Sequence, residues 1–287
     1  MTRAILELLR PANVVTAVAD VLAGFAVAGV HNRTVLGWLL VSTACLYAGG
    51  VVLNDVFDRE VDRAERPERP IPSGRVSIRG ASVLGALLLA VGVAAATQAT
   101  AAAGMIAAII AGLVVLYDAW GKRHGAVAPV NMGLCRAFNL LLGVSAMPAA
   151  LPDAWPLALI PLLYIAAITA LSRGEVHGGT RWIATVALIS LSASLLAVLV
   201  VTLRAGAYRP PALALAIVLG WRVLPLFWKA RTAPTPGVIR GAVRRGVLSL
   251  VILDAAIGAS YAGPIWAAVI LTTGLIAGWL ARLFAVT

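Results

Sequence analysis

The chain has 287 residues, 61% of them hydrophobic and 12% charged, with a formal net charge of +11. That composition excludes a soluble globular protein, leaves almost no material for a separate aqueous domain, and defines one integral membrane domain over residues 1–287. The basic residues lie in short loops rather than one patch, which argues against nucleic-acid binding; two cysteines in apolar segments and three scattered histidines exclude a disulfide framework and a zinc cluster.

A membrane helix needs about 20 mostly apolar residues. Spans are predicted at about 12–30, 35–54, 80–98, 102–118, 127–149, 155–172, 182–203, 210–228, 239–260 and 264–284. Arg240, Arg244 and Arg245 crowd the start of 239–260, so the expectation is an all-α bundle of nine or ten transmembrane helices. The first span follows Arg10-Pro11 and lacks a small-residue cleavage site, so it is expected to be retained. With a cytoplasmic N-terminus, the inner loops collect Arg3, Arg10, the six arginines of 54–80, Lys122, Arg123, Arg173, Arg181 and the Lys229–Arg245 cluster. The outer loops keep only Arg33, Arg204 and Arg209. The asymmetry predicts a multi-pass protein of the cell (inner, cytoplasmic) membrane with its elaborated loops in the cytoplasm. Three polar segments, 54–80, around Lys122, and 173–181, then share one face.

Where the second span ends, residues 54–62 read Asn-Asp-Val-Phe-Asp-Arg-Glu-Val-Asp. Asp55, Asp58 and Asp62 are spaced i, i+3, i+7, and Asn54, Asp58 and Asp62 are spaced i, i+4, i+8, so a continuing helix puts each row on one face. Like charges this close repel unless a cation joins them, and Mg²⁺ favours a few carboxylates with phosphate oxygens over a closed protein cage. The pattern points to a metal–diphosphate site at the bilayer surface. The plainer reading is a pair of solvated i, i+4 bridges, Asp55–Arg59 and Asp62–Arg66.

These residues resemble the UbiA family of intramembrane prenyltransferases. The likeness runs through Arg10-Pro-Ala-Asn13, Gly49-Gly50, the Asn54–Asp62 motif, Arg69-Pro-Ile-Pro-Ser-Gly-Arg75, Tyr117-Asp-Ala-Trp-Gly-Lys-Arg123 and Cys135-Arg-Ala-Phe-Asn-Leu-Leu-Leu-Gly143, over about the first two-thirds of the chain. It implies helices around a central cavity and Mg²⁺-dependent transfer of an isoprenyl chain from its diphosphate to an aromatic, lipid or other small acceptor in the membrane. It implies Asn54, Asp58 and Asp62 as a metal set with Asp55 beside them, and Glu175 as the first acid of a second motif. The second acid of that motif is Gly179 here, so the second metal site is either thinner than the family's or uses Glu175 with His177 or water.

The chemistry assigns Asp58, Asp62 and Lys122 to catalysis. Asn13, Arg66, Tyr117 and Lys122 are assigned to the diphosphate. Trp120, Phe138 and Tyr164 are candidate faces for an allylic cation, and Asp118 and Glu175 are candidate bases. Asp254, inside an apolar span, is expected to pair with Arg222 or Arg245. Two other functions stay open: a membrane terpene cyclase acting on the diphosphate alone, and a non-catalytic lipid-binding or transport protein.

Overall fold

In hydrocarbon every backbone polar group must find a partner within the chain, so an apolar sequence of this kind resolves into helices. The computed structural model describes residues 2–283, and these contain helices and no strand. The helices are α1 (Thr2–Leu9), α2 (Pro11–Ala28), α3 (Arg33–Phe57), α4 (Arg59–Glu65), α5 (Ile78–Ala99), α6 (Ala101–Ala119), α7 (Val127–Val144), α8 (Leu151–Ala154), α9 (Leu159–Ser172), α10 (Arg181–Leu203), α11 (Arg209–Thr232) and α12 (Pro236–Leu283). Nine helical segments among the described residues are long and apolar enough to cross a membrane. The chain is a multi-pass membrane protein.

Caps explain several boundaries. Asn32 accepts from Thr34 N and Val35 N at the start of α3, Ser77 from Gly80 N at α5, Thr100 from Ala103 N at α6, and Thr180 from Ile183 N at α10. Pro148, Pro152 and Pro156 break the approach to α9 into short 3₁₀ and α turns, because each removes a backbone donor. The last segment is 48 residues long and breaks at Gly263 (φ 83°, ψ −175°), followed by Pro264. That break accounts for the expected pair 239–260 and 264–284, whose final residue lies outside the described range. The short amphipathic α1 was not expected.

The membrane helices close a ring in which α2 packs on α3 and α12, α3 on α5 and α6, α6 on α7, α7 on α9, and α9 through α12 on their neighbours. Helix α2 also packs against α7 across the middle. The half formed by α7 and α9–α12 with α2 is filled by an apolar core around Leu140, Tyr164, Leu191, Phe227 and Leu253. The other half holds a smaller core around Phe25, Leu39, Leu46 and Ile106, and leaves a cavity between α2, α3, α6 and α7. Large apolar side chains such as Val83, Met105, Leu196, Trp221 and Ile265 stay on the outside, as lipid permits.

The crossing of α2 and α7 depends on two glycines. A Cβ on Gly24 would lie 2.9 Å from Val144 N and 3.0 Å from Gly143 Cα; one on Gly143 would lie 2.8 Å from Phe25 N. Only residues without a side chain let the two backbones come this close.

Candidate active site at one end of the bundle

Helix α3 runs through Asn54 and Asp55 to Phe57, then bends at Asp58 (φ −90°, ψ 3°) into α4. The bend interrupts the expected continuous helix, yet Asp55 and Asp62 still face the same way, because Arg69 reaches both. Its Nη1 lies 2.9 and 2.7 Å from the two Asp62 oxygens and 3.4 Å from Asp55 Oδ1. Arg10 Nη2 donates to the same Asp55 oxygen. Asp55 and Asp62 are buried, so each carboxylate is held by guanidinium groups in a weakly screened setting. The i, i+4 bridges are not formed: Arg59 pairs with Glu60 instead.

The segment carrying Arg69 is fixed from below. Ile71 packs with Leu8 of α1, Val52, Val56 and Ala81. Arg75 Nη1 binds Glu7 Oε2 at 2.6 Å, and its Nη2 donates to Glu68 O at 2.6 Å. Arg10 joins α1 to α2 with a left-handed backbone (φ 46°, ψ 64°), uncommon outside glycine, and this turn accompanies its guanidinium's contact with Asp55.

A second group forms around Lys122, in the 3₁₀ turn Gly121–Arg123 after α6. Lys122 Nζ lies 2.6 Å from Asp58 Oδ1 and 3.8 Å from Asp118 Oδ1. Asn54 Nδ2 donates to Asp118 Oδ1 at 2.7 Å. Asp118 is buried and Asp58 half-buried. This ties the end of α3 to the end of α6, as the shared-face reading of the acids and Lys122 anticipates.

Both groups adjoin a cavity of about 270 Å³. Arg10, Asn13, Asn54, Tyr117 and Asp118 supply its polar part; Leu46, Val51, Ile110, Val114 and Met132 supply apolar wall, and Tyr47 adds a second aromatic ring to the lining. Thr43, Arg136 and Asn139 line it as well. Behind them lies a buried polar network. Asn139 donates to Asp20 Oδ2 and to Ala17 O, both at 2.8 Å, and accepts from Thr43 Oγ1 at 2.7 Å; Arg136 Nε lies 3.1 Å from Asp20 Oδ2. Asp254 is fully buried with neither carboxylate oxygen hydrogen-bonded, and neither expected arginine reaches it; Arg222 donates to Ser249 instead.

The remaining expected residues sit elsewhere. Arg66 is exposed on the rim. Glu175 stands in the turn after α9, flanked electrostatically by Arg240 and Arg66; burial pushes its carboxyl above the ordinary value, and the two arginines pull it back. His177 is exposed. Gly179 donates its N–H to Pro234 O at 3.0 Å, and a Cβ there would lie 3.0 Å from Ile239 Cδ1, the end of a side chain that would have to give by a few tenths of an ångström. Trp120 is exposed and stacks on His124, Tyr164 donates to Gly246 O inside the core, and Phe138 packs in the smaller core. Tyr47, Arg10, Arg69 and Arg136 join the site through helix packing, and the last three fall within the motifs of the family resemblance.

Residues 14–237 match the UbiA prenyltransferase family, and the chain belongs to that family. It is similar to the digeranylgeranylglyceryl phosphate synthase of Ignicoccus hospitalis, 35% identical over 177 residues, covering 61% of this chain and 58% of that protein. The synthase of the same name from Methanopyrus kandleri is 40% identical over 153 residues, 51% of this chain and 56% of that protein. The matches thus span a little over half the length of these relatives. Among solved structures, one of digeranylgeranylglyceryl phosphate synthase superposes with a TM-score of 0.70 at 21% identity, covering 91% of this chain and 99% of that one. A UbiA homolog from Archaeoglobus fulgidus bound to DMAPP and Mg²⁺ gives 0.61 at 18% identity, covering 88% and 98%. At these identities the structures share the fold.

Proposed function

We propose that this chain is a Mg²⁺-dependent prenyltransferase that moves an isoprenyl chain from its diphosphate to a hydrophobic acceptor within the membrane. One observation carries the reading: a single cavity joins a polar end of amide, carboxylate and guanidinium groups to an apolar wall. A diphosphate suits the first and an isoprenyl tail the second.

The acid set offers hard oxygen donors, which suit Mg²⁺. Asn54 and Asp58 carry the assignment most directly, because Asp58 rests against the ammonium of Lys122 and so already accommodates a cation. Asp55 and Asp62 keep Arg10 and Arg69 in place. When bound, Mg²⁺ supplies Lewis-acid stabilisation to the charge that develops on the departing diphosphate. Arg10, Lys122, Asn13 and Tyr117 supply donors to the diphosphate oxygens. Leu46, Ile110 and Val114 exclude water from the allylic carbon, which would otherwise be quenched, and the faces of Tyr47 and Tyr117 steady its positive charge.

The chain acts as one domain, a reading supported by the packing of α2 against α12. The cavity end faces the cytoplasm of the cell membrane, because the lysines and arginines concentrate there. A reporter fused after Leu203, at the opposite end of α10, is expected to be active only outside; an inside-active fusion overturns the orientation.

The acceptor class follows from relatives named digeranylgeranylglyceryl phosphate synthase: a glyceryl phosphate lipid carrying one isoprenyl chain is the first acceptor to test. Nanodisc-embedded protein is incubated with Mg²⁺, labelled geranyl, farnesyl or geranylgeranyl diphosphate, and that acceptor or an aromatic one. A labelled adduct that needs the acceptor supports the transferase. Labelled hydrocarbon without acceptor would move the reading to a cyclase.

A further inference from the structure

The charges near the cavity fall into two sets with different balances. Asp55 and Asp62 meet Arg10 and Arg69, two acids against two cations. Asp58 and Asp118 meet only Lys122 in close contact, two acids against one. The second set therefore carries the surplus negative charge, and its member Asp118 faces the cavity.

The lysine is held in this set by charge rather than by directed hydrogen bonds. Its Nζ is buried and sits close to both acids without a directed hydrogen bond. The Phe57 ring centroid is 6.0 Å from Nζ, a contact that favours a cation without fixing its direction. The side chain leaves from a three-residue turn, and its four-carbon stem is flexible. Asn54 adds an oxygen donor. A carboxylate can only accept, so it is the Asn54 nitrogen that is used on Asp118, and the carbonyl oxygen is not spent on that bond.

We propose that Lys122 is an internal counter-ion that holds the place of a divalent cation between Asp58 and Asp118, and that Asp118 joins Asn54 and Asp58 as a metal ligand once a diphosphate draws the lysine away. The inference rests on the metal–diphosphate reading above and deepens it. With the ammonium gone to the diphosphate, two carboxylates face one divalent ion and the local charge closes. With no diphosphate present, the ammonium and the metal compete for the same oxygens. Metal binding is then coupled to diphosphate binding through Lys122.

The test measures Mn²⁺ retained by nanodisc-embedded protein on ultrafiltration, against empty nanodiscs, with and without inorganic diphosphate. Wild type is expected to hold Mn²⁺ weakly alone and at least about tenfold more tightly with diphosphate. Lys122→Met is expected to hold Mn²⁺ about tenfold or more tightly without diphosphate than wild type does, and to gain little from adding it. Lys122→Gln, which keeps a polar tip, serves as a second variant, and both are checked for monodisperse elution. Adding Asp118→Asn to Lys122→Met is expected to weaken Mn²⁺ by about tenfold or more. If both lysine variants hold Mn²⁺ no better than wild type, or the added Asp118→Asn changes nothing, the proposal is overturned while diphosphate-dependent Mn²⁺ retention by wild type still upholds the metal reading. If wild type retains no Mn²⁺ even with diphosphate, the metal reading falls, and the proposal with it.

Discussion

The crossing of α2 and α7 sets the shape of the cavity, and Gly143→Ala tests it. The new methyl would overlap the Val21 carbonyl oxygen and lie 2.8 Å from Phe25 N, against 3.4–4 Å for ordinary contact. Both neighbours are backbone, so no rotamer change relieves them, and the helices must part by about 1 Å. Overpacking of this kind costs about 1–3 kcal/mol. One turn from the glycines, Asn139 bonds Asp20 and Ala17 O at 2.8 Å, and parting the helices stretches both bonds. The cost therefore reaches the cavity wall as well as the fold. The assay is thermal unfolding of detergent-purified protein, where the midpoint is expected to fall by about 2–12 °C. Gly37→Ala is the control: nothing lies within 4 Å of its added Cβ, and alanine is the better helix former. Gly24→Ala is expected to match Gly143→Ala, and the double variant to lose less than the two together, because each forces apart the same crossing. Equal midpoints for Gly143→Ala and Gly37→Ala would refute the argument.

Arg136→Met removes the cation paired with buried Asp20, and is expected to cost about 3–5 kcal/mol, read as a lower unfolding midpoint; a midpoint equal to wild type would contradict the role given to this arginine. Arg69→Met frees Asp55 and Asp62 from a shared partner and is expected to hasten proteolysis within residues 66–77 while lowering turnover; unchanged cleavage would mean that the apolar contacts of Ile71 hold the segment alone. Val114→Phe narrows the apolar wall and is expected to cut turnover of geranylgeranyl diphosphate more than that of geranyl diphosphate; an equal loss on both would place the tail elsewhere.

The membrane segments were legible because hydropathy and length decide them, and the acids of Asn54–Asp62 stood out because charge at the end of an apolar span is costly. Helix α1 was not read because eight residues fall short of a span, although Arg3, Glu7 and Leu8 already have its amphipathic spacing. The partners of the acids were the harder part. Arg10 lies 45 residues from Asp55, Asn54 lies 64 from Asp118, and Asn139 lies 119 from Asp20. Such pairs are made by helix packing and leave no local periodicity. For the same reason the sequence offered Arg222 or Arg245 to Asp254, whereas the packing gives Arg222 to Ser249 and leaves both Asp254 oxygens without a hydrogen bond. Tyr164 illustrates the converse: it has the residue type of a cation-steadying aromatic, but its hydroxyl is spent on Gly246 O in the core.

The most direct test of the central claim is diphosphate release by nanodisc-embedded protein given geranylgeranyl diphosphate and the glyceryl phosphate acceptor, with Mg²⁺ or with EDTA, for wild type and Asp58→Asn. Wild type is expected to release diphosphate with Mg²⁺ and to lose release in EDTA, and Asp58→Asn to release it at least about a hundredfold more slowly, because charge on the leaving group then goes largely unstabilised. Release that survives EDTA, or an Asp58→Asn rate near wild type, would contradict that claim.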